Sequence, residues 1–175
     1  MTTQKTEYDS VTDSNALTLT LASLATSSTL VAGRNSAIVS NVTNKYLDYL
    51  VSGQITVGTT PTVNTKILVY AYAPIKVVSG TFTYPIATAT ALTESDAAAT
   101  FEANQLYQLR LAAAINVIAT SDRAYPILPF SIAQLFGGSV PLKWGLFVTH
   151  NTAVNLNATA GNHWLHWQGI TRTIT

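Results

Sequence analysis

The three histidines are the first candidates for chemistry, because imidazole rings bind metal ions and transfer protons near neutral pH. His163 and His166 lie three residues apart in an alternating run, and a strand would place their side chains on opposite faces. They therefore cannot chelate one metal ion together. His150 could join either of them only through strand pairing, and no acidic residue accompanies it. The pattern favours hydrogen bonding at strand ends, and we predict no metal site.

The acidic residues and serines form no recognisable catalytic motif. A glycosidase needs two carboxyl groups facing each other across a cleft, whereas Glu94 and Asp96 are neighbours in a segment typical of a solvated loop. No Gly-x-Ser-x-Gly motif is present. Gly137 and Gly138 precede a strand rather than joining a strand to a helix, so they are no phosphate-binding loop. We predict no catalytic, cofactor-binding or metal-binding residue, and no enzyme activity.

The three tryptophans permit a different function, because indole rings can stack on sugars. Trp144 and Trp167, however, lie in apolar alternating runs, where a core role is favoured. Glycan binding stays open as an alternative.

Composition limits the class of protein. The chain has 175 residues, enough for one domain, and is 47% hydrophobic but only 10% charged, against about 25% for a typical soluble domain. Threonine, serine and asparagine fill the gap, as is common in permanent assemblies and adhesive modules. The net charge is +1 without any basic run, which argues against nucleic-acid binding. Cysteine is absent, which excludes disulfides and thiolate metal sites.

Targeting signals are also missing from the pattern. No apolar stretch reaches about 18 residues, so we expect no membrane span. The first fifteen residues, "MTTQKTEYDSVTDSN", are polar and contain no signal-peptide core. We therefore expect synthesis in the cytoplasm without a cleaved signal.

The elements that must position these residues are strands. "ALTLTLASL" (16–24) and "KYLDYLVSGQITVG" (45–58) alternate apolar and polar residues with period two. "TKILVYAYA" (65–73) is apolar on both faces, as in a strand covered on both sides. Further strands are predicted at 37–41, 106–119, 124–130, 141–150 and 163–173. The buried set should include Leu47, Tyr49, Val51, Val69, Leu109, Leu111, Trp144 and Phe147.

These strands, joined by Gly, Pro, Asn and Ser turns, predict an all-β fold: a single jelly-roll-like β-sandwich. The polar residues 1–15 read as an N-terminal arm, and the sandwich domain as 16–175. Residues 74–104 read as one long loop excursion out of the sandwich. "FSIAQLFGG" predicts one helical turn, stopped by Gly137 and Gly138.

Two long segments resemble small virion proteins of tailed bacteriophages. They are "TLVAGRNSAIVSNVTNKYLDYLVSGQITVGTTPTVNTKILVYAYA" and "PFSIAQLFGGSVPLKWGLFVTHNTAVNL". The resembling features are an Ala-Gly-Arg turn before a Tyr-Leu-Asp-Tyr strand, and a Leu-Phe-Gly-Gly stretch leading into Trp-Gly-Leu-Phe-Val. The resemblance covers roughly residues 25–170 and carries no catalytic residues.

This resemblance implies a capsid decoration (cement) protein that binds the capsid surface and reinforces it. The implied location is the capsid exterior of the virion. We accordingly expect the major capsid protein as partner and a homo-oligomer, a dimer or a trimer. The arm and residues 74–104 should carry most of these contacts. The alternative is a receptor- or glycan-binding module of a tail or head fibre.

Overall fold

The computed structural model describes residues 4–9, 14–87 and 90–174, and strand is their main regular structure. Helix makes up 8% and strand 48%, which confirms the all-β prediction. One short helix, α1, spans Ile132–Leu135, and two 3₁₀ turns span Ala103–Gln108 and Ala160–Asn162. In chain order the strands are β1 (Gln4–Tyr8), β2 (Asn15–Ala16), β3 (Ala32–Asn35), β4 (Val39–Ser40), β5 (Asp48–Thr56), β6 (Thr65–Tyr72), β7 (Lys76–Val78), β8 (Thr81–Thr83), β9 (Ile86–Ala87), β10 (Thr90–Ala91), β11 (Ala97–Thr100), β12 (Arg110–Val117), β13 (Ala124–Ser131), β14 (Lys143–His150) and β15 (Trp164–Ile174).

Two antiparallel sheets form the sandwich. Sheet I has the order β1-β15-β5-β13, with β2 also on β15, and sheet II has the order β11-β3-β14-β6-β12, with β4 also on β14. Strands far apart in sequence pair in a nested way: β1 with β15, β3 with β14, β5 with β13 and β6 with β12. Each sheet therefore takes strands from both ends of the chain.

The main core lies between the two sheets. Sheet I contributes Tyr49, Val51 and Ile55, and sheet II contributes Val69 and Trp144, all fully buried. The Tyr49 ring meets both Trp144 and Trp167 edge-on, with centroids 5.2 Å apart in each pair. Such edge-to-face contacts add to the stabilisation from buried area alone. The prediction that Trp144 and Phe147 are buried is confirmed.

A second apolar cluster covers the outer face of sheet II. It joins Tyr72 and Phe147 of the sheet to Tyr84, Leu92 and Phe101, which come from the segment 74–104. This segment therefore folds back over the sheet, and its last strand, β11, joins sheet II beside β3. The covering explains why β6 and β14 are apolar on both faces. The expectation of an excursion away from the sandwich is wrong for these residues.

The described part of the N-terminal arm is attached to its own chain. Residues Gln4–Tyr8 pair with β15, and Asn15 and Ala16 pair with the same strand further along. The side chain of Tyr46 also donates a hydrogen bond to Asp9 at 2.5 Å. The backbone groups of these residues find hydrogen-bond partners on the exposed edge of β15. Residues 1–3 and 10–13 lie outside the described residues.

The predicted helical turn is present as α1. Ser131 caps it by accepting a hydrogen bond from the Gln134 amide at 2.9 Å. Gly137 and Gly138 follow with φ values of +77° and +93°, which residues with a side chain rarely adopt. The short helix and the two glycines that end it are therefore as the sequence predicts.

Three sequence assignments are wrong at the level of single residues. Residues 17–24 keep their alternation, with Leu17 and Leu21 buried, but form no strand beyond β2. Leu47 is half exposed because it precedes β5. Leu111 is 51% exposed, because a register shift between Leu111 and Ala113 changes the face on which β12 presents its side chains. The other six residues of the predicted buried set are buried.

Candidate functional site

His150, the last residue of β14, is fully enclosed and satisfied within the fold. Its Nε2 lies 3.0 Å from the Leu24 carbonyl oxygen and its Nδ1 lies 2.9 Å from the Thr152 hydroxyl. A carbonyl oxygen can only accept, so Nε2 donates to Leu24. The Thr152 hydroxyl, which lies beside Nδ1, donates to the Val154 carbonyl oxygen at 2.8 Å. Burial lowers the pKa of His150, although the bond to Leu24 acts in the other direction. The ring connects a strand end to a loop, as the sequence suggested.

His163 and His166 have separate partners. The Thr56 amide donates to Nδ1 of His163 at 3.3 Å, and Nε2 of the same ring donates to the Asn157 carbonyl at 2.8 Å. Burial lowers the pKa of His163 as well. His166 instead lies 2.8 Å from the Ser14 hydroxyl. Across residues 4–9, 14–87 and 90–174, no three His, Asp or Glu side chains are arranged to hold a metal ion.

Glu94 and Asp96 connect the 74–104 segment to the rest of the protein. Asp96 accepts from Arg34 Nε at 2.5 Å and from the Thr20 hydroxyl at 2.5 Å, and its side chain is only 12% exposed. Glu94 accepts from Lys143 Nζ at 2.7 Å, which lowers the pKa of Glu94. The interpretation as a solvated loop holds for Glu94, which lies in a bend with its side chain 50% exposed, but not for Asp96. The two carboxylates fasten the segment over sheet II.

The three tryptophans differ in burial, and Trp144 and Trp167 take the core positions that their sequence contexts indicated. Trp144 is fully buried and Trp167 packs against the main core, whereas Trp164 is exposed on sheet I. The indole nitrogen of Trp144 is buried without a hydrogen-bond partner among the described residues. Only Trp164 is therefore placed to meet a ligand.

An exposed apolar hairpin is the first surface feature with the character of a binding site. β7 and β8 pair through a two-residue turn, Ser79 and Gly80, whose positive φ values suit the right-handed twist of a tight hairpin. Phe82 anchors the hairpin by packing on the second cluster, with Lys143 Nζ 4.2 Å from its ring centroid. Ile75, Val77 and Val78 remain exposed. We call residues 75–83 the apolar hairpin.

A shallow polar cleft of about 370 Å³ lies among the loops at one end of the sandwich. Its wall includes Asp122, Asn155, Asn157 and Thr159. The Asn157 side-chain amide donates to Asp122 at 2.7 Å. Hydroxyl, amide and carboxylate groups of this kind hydrogen-bond to sugar hydroxyls.

An apolar groove of about 400 Å³ separates the edge strands β12 and β13. Residues 112–115 form one wall and residues 126–130 form the other. β12 and β13 do not pair with each other, so the sandwich is open along this side. Leu128 stands on the rim and is 76% exposed.

Comparison with protein-family models, with curated proteins and with solved structures finds no match to this chain. In the described part of the chain, no helix is long and apolar enough to cross a membrane.

Sequence reasoning missed the apolar hairpin and the open groove. The signal for the hairpin was in the sequence, since "KVVSGTFT" places Ser-Gly between two β-prone runs. The groove had no such signal, because it depends on which strands become neighbours in space.

Proposed function

We propose that this chain is a virion structural protein of a tailed bacteriophage, which binds the outer surface of the capsid and reinforces it. The proposal rests on the resemblance of residues 25–170 to small phage virion proteins. The all-β sandwich fits the β-sandwich fold that this resemblance implies, and the nested pairing of strands fits the jelly-roll arrangement predicted from the strand pattern. The role proposed is binding, without catalysis, and the partner is the major capsid protein.

The observation that supports this role best is the apolar hairpin. Its three apolar side chains project from a short, well-anchored element and are covered by nothing in the described chain. Ile75 and Val77 share one side of the hairpin, and Val78 faces the other. Exposed apolar surface of this kind marks sites of protein association. Val77 and Val78 are already about half covered, so burying the rest of each side chain against a shell would contribute roughly half of the about 1.5–3 kcal/mol that full burial gives.

The sparse charge of the surface suits the same role. Three ion pairs occur among the described residues, and two of them lie within the fold rather than on a face left for a partner. Few charges then have to be desolvated when a large area is covered. A neutral polar rim around apolar anchors is the usual composition of a protein interface.

The test is decoration of phage shells assembled without this chain. We expect the wild-type protein to saturate at a fixed number of copies per shell, counted by cryo-electron microscopy. The double variant Val77→Ser/Val78→Ser should bind at least tenfold more weakly, since about 1.4 kcal/mol corresponds to tenfold. The matched control Val42→Ser/Val63→Ser removes two valines of similar exposure, 46% and 50% against 47% and 53%, and should bind normally. Absence of decoration by the wild-type protein would contradict the proposal.

The polar cleft supports a second candidate, a receptor- or glycan-binding module of a tail or head fibre. Its Asp122–Asn157 pair supplies the hydrogen-bonding groups that sugars require. This role predicts few copies per particle and saturable binding of an oligosaccharide. A glycan array in which wild-type protein binds and Asp122→Ala does not, with shells left undecorated, would favour this candidate.

A further inference from the structure

The apolar hairpin depends on one side chain for its orientation. β7 and β8 pair with each other and, in the part of the chain that the structure describes, with no other strand. Within residues 75–83 only Phe82 is partly buried, and the others are exposed. A two-stranded hairpin by itself is marginally stable in water. The way in which Phe82 is held therefore decides how the hairpin lies on the protein.

The ammonium group of Lys143 supports the Phe82 ring. Nζ lies 4.2 Å from the ring centroid, and a cation at this distance is attracted to the negative face of an aromatic ring. Lys143 begins β14 and its backbone pairs with Ser40, so the lysine is part of sheet II. Its side chain is only 17% exposed, and the attraction is stronger where water is largely excluded. The hairpin thus rests on a charge that the sandwich itself carries.

Glu94 fixes the position of that charge. Nζ of Lys143 donates to both carboxylate oxygens of Glu94, at 2.7 and 2.9 Å. The Tyr84 hydroxyl donates to the same carboxylate at 2.9 Å, and the Glu94 carbonyl oxygen accepts from the Ile38 amide at 3.0 Å. A lysine without such partners would move freely, because its four-carbon side chain is flexible. Held by Glu94, the ammonium group stays beside the Phe82 ring.

We propose that Lys143 is the positioning residue of the apolar hairpin: by holding Phe82, it keeps the exposed apolar side chains of the hairpin in one arrangement that is ready to bind. This inference rests on the proposed function, in which the hairpin docks on the capsid. A surface that is fixed before contact loses less conformational entropy on association. A hairpin without this support would have to be ordered at the moment of binding. Lys143 acts on the shell only through Phe82.

The orientation of the hairpin can be measured with two spin labels, because the chain contains no cysteine of its own. One label is attached at Thr81→Cys on the hairpin and the other at Asn116→Cys on β12, both at exposed positions. Double electron–electron resonance then gives the distribution of distances between them. A second pair, at Asn116→Cys and Ala98→Cys, joins the two edge strands of sheet II and reports on the sandwich alone.

We expect a narrow distribution for the hairpin pair when Lys143 is present. Lys143→Met keeps the length of the side chain but removes its charge, so the hairpin distribution should broaden while the sandwich pair stays unchanged. Lys143→Arg retains a cation that can pair with Glu94 and face the Phe82 ring, and it should restore the narrow distribution. Lys45→Met removes an exposed lysine from the loop before β5. It is the matched control and should change neither pair.

The unlabelled Lys143→Met protein should also bind phage shells about tenfold more weakly, although every apolar side chain of the hairpin is intact. Lys143→Arg and Lys45→Met should bind normally. A narrow hairpin distribution in Lys143→Met, equal broadening of the sandwich pair, or undiminished shell binding by this variant would each overturn the inference. If the wild-type chain does not bind shells, the proposed function fails, and the distance measurement still decides whether Lys143 positions the hairpin.

Discussion

At the scale of single residues, the groups that resembled catalytic candidates bind other parts of the fold. His150 and His163 hold loops to strand ends, and Glu94 and Asp96 hold the 74–104 segment to sheet II. Each side chain spends its hydrogen-bonding capacity inside the protein. These hydrogen bonds have a consequence for stability.

Stability should depend on pH through two histidines, the buried His150 and the partly buried His163. Burial lowers the pKa of His150 and His163 below the ordinary value of 6.5. Below pH 6.5 the unfolded chain binds protons at these positions before the folded protein does, so the free energy of unfolding falls as pH falls. The loss ends once the pH passes the pKa of the folded state. Above pH 6.5 both states are neutral at these positions and the effect vanishes.

We expect the melting temperature to be lower at pH 5.5 than at pH 7.5. The double variant His150→Gln/His163→Gln should be less stable at pH 7.5 but should show a smaller difference between the two pH values. Differential scanning calorimetry at both pH values measures this. An unchanged pH difference in the double variant would show that other groups control the acid sensitivity.

At the scale of elements, the register shift in β12 decides which leucine of the segment 106–119 is core. Leu109 is buried in the second cluster beside Phe147, whereas Leu111 is half exposed at the sheet edge. A strict alternation through 106–119 would have buried both. The irregularity between Leu111 and Ala113 separates them.

Truncation of these two leucines should therefore have unequal effects. Leu109→Ala should lower the free energy of unfolding by about 2–5 kcal/mol, because it leaves a cavity among aromatic rings. Leu111→Ala removes the same atoms from a position that is 51% exposed and should cost less than about 1 kcal/mol. Urea unfolding of both variants measures the difference. Equal losses would show that the cluster does not depend on Leu109.

At the scale of the whole molecule, the first and the last strand, β1 and β15, pair with each other. β1 pairs along the second half of β15, while β5 pairs along the first half. The side chains of β1 are largely exposed, so the strand adds backbone hydrogen bonds but little apolar burial. Each hydrogen bond contributes a net stabilisation of about 0.5–1.5 kcal/mol. Ordering the backbone of each residue costs about 1–2 kcal/mol of conformational entropy, which nearly offsets this gain.

Deletion of residues 1–9 should therefore change stability little. We expect a fall in the melting temperature of about 2–4 °C, which corresponds to about 1 kcal/mol for a domain of this size. If the arm also contacts the shell as proposed, the truncated protein should decorate shells more weakly. Tyr46→Phe, which removes only the hydrogen bond to Asp9, is the control and should decorate normally. A truncated protein without a cooperative unfolding transition would show that β1 is essential to the sandwich.

The sequence by itself determined the class of fold and the positions of the long central strands. Period-two alternation, doubly apolar runs and Gly-Gly after "SIAQLF" are local signals, because side-chain direction and backbone φ depend on neighbouring residues. The fold around β5, β6 and β14 could be predicted for this reason.

Only the tertiary structure decided how the remaining segments are used. Whether residues 74–104 leave the sandwich or cover it depends on Lys143 and Arg34, which lie far from Glu94 and Asp96 in sequence. Whether Leu111 is buried depends on a register shift against β6, and whether β12 is an edge depends on where β13 pairs. These are contacts between residues distant along the chain, and local periodicity carries no information about which distant partner a strand will meet.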